Sequence, residues 1–114
     1  MKLNILRSPR KFKPDKKGRV VIRDFGSITI EADEQITLRS SKGANYDIVA
    51  KSWGYYATPS INSRLMKEGY KTALVKNSTN RYFIMLVEYG KTGSFKNYLR
   101  KHRETLIEWL DERN

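Results

Sequence analysis

The sequence predicts an α+β fold: a ferredoxin-like split βαβ unit (βαββαβ) over residues 46–110, preceded by an N-terminal antiparallel meander and a basic arm. Three observations carry that prediction. Short segments with β-rich composition and period-two alternation fill the first half of the chain. From Tyr46 to Leu110 the periodicities run strand–helix–strand–strand–helix–strand, the order of a split βαβ unit. Ahead of Arg19, positive charge and proline crowd a segment that has neither period. With 114 residues, the expectation is a flexible basic arm over 1–18 and a single α+β domain over 19–114.

The arm comes first. Residues 1–24 hold Lys2, Arg7, Arg10, Lys11, Lys13, Lys16, Lys17, Arg19 and Arg23, opposed only by Asp15 and Asp24. Pro9, Pro14 and Gly18 interrupt them. Like charges repel, proline favours extended backbone, and few apolar groups offset the entropy of ordering. The meander follows, with strands expected over 19–23, 27–32 and 35–40. Asp24-Phe25-Gly26 and Asp33-Glu34 separate them. Ser41 to Asn45 reads as a loop.

The first strand of the split unit is expected over 46–53. A helix is then expected to open at Thr58-Pro59, with the threonine hydroxyl as cap and the proline in the first helical position. Ile61, Leu65 and Met66 give its apolar stripe, and Gly69 ends it. Strands are expected over 71–77 and 81–89, joined by Ser78-Thr79-Asn80. The second of these, RYFIMLVEY, has two apolar faces and is assigned a central place, with helices on one side and the meander or a second copy of the chain on the other. A helix from Ser94 carries Phe95, Tyr98, Leu99 and His102 at i, i+3, i+4, i+7 spacing, which defines one buried face. Residues 105–110 close the unit as a strand.

Charge directs the functional reading. The chain carries 23 Lys and Arg against 12 Asp and Glu, a formal charge of +11. Most of the excess lies in the first 24 residues. Each cation that neutralises a phosphate releases counterions, so such a segment gives salt-sensitive binding to a polyanion. Nucleic acid is the expected partner, reached through Arg7, Arg10, Lys11, Lys13, Lys16, Lys17 and Arg19. The segment 52–64 adds Trp53, Tyr55 and Tyr56, rings that can stack on bases, with Arg64 to orient a ligand. The helix start expected at Thr58, with Ser60 beside it, is a candidate anion-binding site. The competing expectation is an interaction or regulatory module that works through a sheet face, as a homodimer or against another protein.

The exclusions are equally informative. The chain has no cysteine and one histidine, which removes disulfides, a thiol nucleophile and cysteine- or multi-histidine-ligated metal sites. No cofactor is expected. No apolar run approaches a membrane span, and MKLNILRSPRKFK holds none long enough for a signal peptide, so the expected location is cytoplasmic. No Gly-x-Gly-x-x-Gly, P-loop or nucleophile-elbow pattern is present. His102 reads as a packing residue. A carboxylate pair of Asp47 with Glu88 or Glu108, or a site around Asp47, Lys51 and Ser60, is the remaining route to catalysis, and ion pairing accounts for those residues more simply. The strand order with a basic tail is similar to that of the RNA-recognition motif. In that family the third strand carries a basic-Gly-aromatic-Gly-aromatic pattern. Here Asn80-Arg81-Tyr82-Phe83-Ile84-Met85-Leu86-Val87 lacks the glycines, so the resemblance is one of topology.

Overall fold

A computed structural model describes residues 1–14 and 20–114, so Lys16, Lys17 and Arg19 of the expected arm lie outside the described residues. The fold is mixed α+β. Its strands are β1 (Lys2–Phe12), β2 (Ile22–Thr29), β3 (Gln35–Arg39), β4 (Asn45–Lys51), β5 (Gly54–Ala57), β6 (Tyr70–Lys76), β7 (Tyr82–Glu88) and β8 (Thr105–Trp109). The helices are α1 (Arg64–Lys67) and α2 (Thr92–Lys101). Among the described residues three sheets form, ordered β1-β2, β3-β4-β5 and β7-β6-β8. The chain divides into two compact units, Met1–Ile36 with Ile48–Ala57, and Thr37–Asp47 with Thr58–Asn114.

In the first unit, the segment expected to be a loose arm is strand over Lys2–Phe12 and pairs antiparallel with β2. Lys2-Leu3-Asn4-Ile5 alternates with period two, and so does Ser27-Ile28-Thr29. Leu3 lies opposite Ile28 and Ile5 opposite Gly26. The register breaks between Ile5 and Arg10 and resumes as Arg10–Asp24, Lys11–Arg23 and Phe12–Ile22. Pro9 falls in that break, where a residue without an N–H costs no ladder bond. The expected interruption at Asp24-Phe25-Gly26 is not a strand end either. Gly26 takes φ +122°, its N–H donates to Asp24 Oδ1 at 3.0 Å, and β2 runs on through it. The same unit holds the β4–β5 hairpin. Ala50 lies opposite Tyr55, and Lys51 opposite Gly54. β5 occupies residues read from sequence as the lead-in to a helix. Its tyrosines suit a strand, and Gly54 at φ +146° lets the chain leave the Ser52-Trp53 turn.

The second unit holds the core. β6 is central, antiparallel to β7 on one side and β8 on the other. β7 and β8 therefore run parallel to each other, and α2 crosses between them with β6 interposed. Ala73, Val75 and Leu99 are buried together, with Met85, Phe95, Leu106 and Trp109 packed around them. Phe95 and Leu99, four apart on α2, supply the helix side of that contact, as the spacing predicts. Fully burying a side chain such as Val75 or Leu99 contributes roughly 1.5–3 kcal/mol.

A ferredoxin-like arrangement would put the strands expected over 46–53 and 81–89 at the centre. The described pairings do not confirm it: β4 belongs to the sheet with β3 and β5, and β7 is an edge strand. The expected helix start at Thr58-Pro59 is corrected. α1 begins at Arg64 and lasts one turn. Pro59 is buried, and the backbone turns through residues 61–63 first, because the Ser60 hydroxyl accepts from the Arg64 N–H at 2.8 Å.

The C-terminus is fastened to β6 by charge. Asp111, its side chain fully buried, accepts from Lys71 Nζ and from the Thr72 N–H, both at 2.9 Å. Lys71 also reaches Glu112 at 2.8 Å and sits 4.8 Å from the centre of the Trp109 ring. Burial pushes the Asp111 carboxyl up, but the Lys71 ammonium and the Thr72 N–H outweigh it and hold it below the ordinary value. Glu112 and then Asp111 hold Lys71 above its ordinary value.

Candidate nucleic-acid interface

The β1–β2 ribbon has no buried residue. Leu3, Ile5, Phe12, Ile22, Phe25 and Ile28 are all exposed. Two-stranded ribbons without a packed face are marginal in water, so this one rests on its cross-strand pairs. On one face Arg10 donates to Asp24 at 3.1 Å and lies 5.0 Å from the centre of the Phe12 ring. The Gly26 N–H and Arg10 together hold the Asp24 carboxyl below its ordinary value. On the other face Lys11 stands directly opposite Arg23. Both are exposed. Neither has an ion-pair or hydrogen-bond partner among the described residues, although like charges directly opposite destabilise a ladder.

The ribbon's remaining described cations are in the same condition. Lys2, Arg7 and Lys13 are exposed and without partners among the described residues. Of the candidates named from the sequence, β1 therefore brings Arg7, Arg10 and Lys11 onto one element, with Lys13 just past its end, and only Arg10 is engaged internally. Lys2 and Arg23 complete the group. Arg23 was not legible as a site residue, because only the register places it across from Lys11.

The aromatic candidates lie on the β4–β5 hairpin of the same unit. Trp53 is 71% exposed, Tyr55 73% and Tyr56 47%. The Trp53 and Tyr56 rings are 6.1 Å apart and inclined by 15°, a stacked pair. Tyr56 lies opposite Val49 and shares that face with Lys51. Lys51 donates to Asp33 at 2.6 Å, and that bond raises the Lys51 pKa. Tyr55, opposite Ala50, faces the other way.

Arg64, Thr58 and Ser60 are occupied in the second unit. Arg64 reaches Asp47 at 2.6 Å, Thr58 Oγ1 at 3.3 Å and Glu68 at 3.3 Å. Asp47 also accepts from the Thr37 hydroxyl at 2.6 Å. The Thr37 bond and then Arg64 hold the Asp47 carboxyl low, and Asp47 raises Arg64. The expected anion site at Thr58 and Ser60 has lost its helix start, since one turn beginning at Arg64 presents no aligned dipole there.

The carboxylates considered for catalysis are each held by a cation. Glu88 pairs with Lys42 and Lys91, and Glu108 with Arg113. His102 follows α2 and packs its ring 4.4 Å from that of Tyr98. Among the described residues no acidic and histidine side chains cluster as a metal site, and no helix is long and apolar enough to cross a membrane. A recess of about 300 Å³ in the second unit is lined chiefly by Leu38, Tyr46, Leu65, Tyr70 and Leu86. Comparison with protein-family models, with curated proteins and with solved structures finds no match to this chain.

Proposed function

We propose that the protein binds a polyanion, nucleic acid, through the basic β1–β2 ribbon. The single observation that carries this reading is Lys11 opposite Arg23, two exposed cations with no internal counter-charge among the described residues. Such an arrangement costs stability in the free chain, and a phosphate bridging the pair offsets the cost. Lys2, Arg7 and Lys13 extend the positive strip along the same ribbon. Contacts to phosphate give affinity with little sequence preference. The test is a binding titration of a labelled oligonucleotide at about 50 mM salt, where such contacts are strong. Lys11→Gln with Arg23→Gln weakens binding strongly while far-ultraviolet circular dichroism stays unchanged. Equal affinity for wild type and double variant contradicts the reading.

A second reading, association through a sheet with a second copy or another protein, is favoured by β7. This edge strand exposes Tyr82, Phe83 and Ile84, and apolar edges invite strand pairing. Sedimentation at high salt tests it: a salt-insensitive dimer that shifts no nucleic acid favours this second reading over the first.

A further inference from the structure

The β4–β5 hairpin carries a feature that charge does not explain. Trp53 occupies a two-residue turn, where a large apolar ring gains little from burial, and it remains mostly in water. It nevertheless stacks on Tyr56, the two ring planes nearly parallel at a 6.1 Å centroid separation. Tyr56 is fixed by its strand, opposite Val49. The pair is thus a short aromatic stack, pre-organised and with ring area open to solvent. Lys51, on that face, is bonded to Asp33 at 2.6 Å. That cation is engaged internally, and what the exposed pair offers is ring area.

Resting on the polyanion reading above, we infer that the nucleic acid this protein prefers is single-stranded, with one or two bases stacked on Trp53 and Tyr56 while the ribbon cations of the same unit hold phosphates. In a duplex both faces of every internal base are already covered by neighbouring bases, so a fixed aromatic surface finds nothing to stack on. In a single strand the bases turn outward, and stacking on a side chain strengthens binding with little regard to sequence. Lys2, Arg7, Lys11, Lys13 and Arg23 attract either form through its backbone. Discrimination between the two forms therefore lies with the hairpin and not with the charge.

The experiment compares wild type with Trp53→Ala, Trp53→Phe and Tyr56→Ala at about 50 mM salt. The probes are a fluorescein-labelled fifteen-nucleotide oligo(dT) and a duplex of the same length. Both side chains are exposed, so the fold tolerates the changes, and circular dichroism checks it. The expected result is a roughly tenfold or greater loss on oligo(dT) for the alanine variants, smaller for Trp53→Phe, with duplex affinity unchanged. Trp53 fluorescence is quenched by oligo(dT), and the quenching disappears in Trp53→Phe, which retains Trp109. Equal loss on both probes, or no loss on either while wild type binds both, overturns the stacking inference and leaves the polyanion reading standing. Absence of wild-type binding to both probes overturns both. Quenching by a soluble oligosaccharide but not by oligo(dT) assigns the aromatic surface to a sugar ligand and also overturns the inference.

Discussion

Replacing Asp111 by alanine tests how the second unit is held together. Its carboxylate is fully buried and accepts from the Lys71 ammonium and from the N–H of Thr72, itself buried. Removing it strands a buried N–H, which costs about 1–3 kcal/mol, and takes from Lys71 the better shielded of its two partners. Breaking a buried ion pair by deleting one member generally costs about 3–5 kcal/mol. Lys71 keeps the exposed Glu112 at 2.8 Å, so the lower end applies, about 3 kcal/mol. Small domains have only about 5–15 kcal/mol in total. At a urea slope of about 1.5 kcal/mol per molar, the unfolding midpoint falls by about 2 M. Trp109 lies against Lys71 and reports the transition by fluorescence in a Trp53→Phe background. Asp111→Asn keeps an acceptor for the Thr72 N–H and loses about half as much. Glu112→Gln alters an exposed pair, of a kind that contributes about 0–1 kcal/mol. An Asp111→Ala midpoint indistinguishable from that of Glu112→Gln refutes the argument that burial of Asp111, rather than the charge count on Lys71, secures the C-terminus.

The same carboxyl gives a pH prediction. Its pKa in the folded chain is below the ordinary 3.8, so its contribution is fully present above that value and is lost as pH falls through the lower folded value. The melting-temperature gap between wild type and Asp111→Asn is constant from about pH 5 upward and narrows below about pH 4; a gap that persists unchanged into strong acid contradicts this. Gly26→Ala places a Cβ 1.9 Å from the Asn4 carbonyl oxygen at φ +122°, so hydrogen exchange speeds up across β1 and β2 while Ala73 and Val75 keep their protection. Uniform protection in both strands refutes that close approach. Leu99→Ala empties the centre of the α2 contact and costs about 2–4 kcal/mol by urea unfolding; a cost below about 1 kcal/mol means α2 does not seal the sheet.

The sequence exposed the parts of this fold where pattern and packing agree. β3, β4, β6, β7, β8 and α2 lie close to where alternation or helical spacing put them, but burial follows the pattern only in part. Ala73, Val75, Val87 and Leu99 are buried, whereas Tyr98 of the expected buried helix face is exposed. Tyr82, Phe83 and Ile84 of β7 are exposed too, because β7 is an edge strand. Phe95 and Leu99 turned inward as their spacing predicts. The misses have physical causes. Lys2-Leu3-Asn4-Ile5 alternates, but the charge and prolines after it masked a strand that has no buried residue and pairs with β2. β5 follows a Ser-Trp turn, which lacks the usual Asn-Gly signal. Thr58-Pro59 carries every local mark of a helix start, yet Ser60 and the buried Pro59 delay the helix to Arg64. Strand partners were the least legible, because β6 gains its central place from contacts across the chain that no local window contains.

The candidate site divides in the same way. Composition alone marked the basic segment and the aromatic cluster of Trp53, Tyr55 and Tyr56, and the structure places that cluster on a hairpin. Arg64 could not be sorted from the free cations by sequence, since its engagement depends on Asp47, seventeen residues earlier. Lys11 and Arg23 became a pair only through the β1–β2 register.

The most direct measurement is the salt dependence of oligonucleotide affinity for wild type and for Lys11→Gln with Arg23→Gln. With about five ribbon cations on a duplex, log affinity falls against log salt with a slope near −4.5, several hundred-fold between 50 and 200 mM, and the double variant flattens the slope by about two. A wild-type slope near zero, or a slope the two substitutions leave untouched, contradicts the assignment of the ribbon as the polyanion contact.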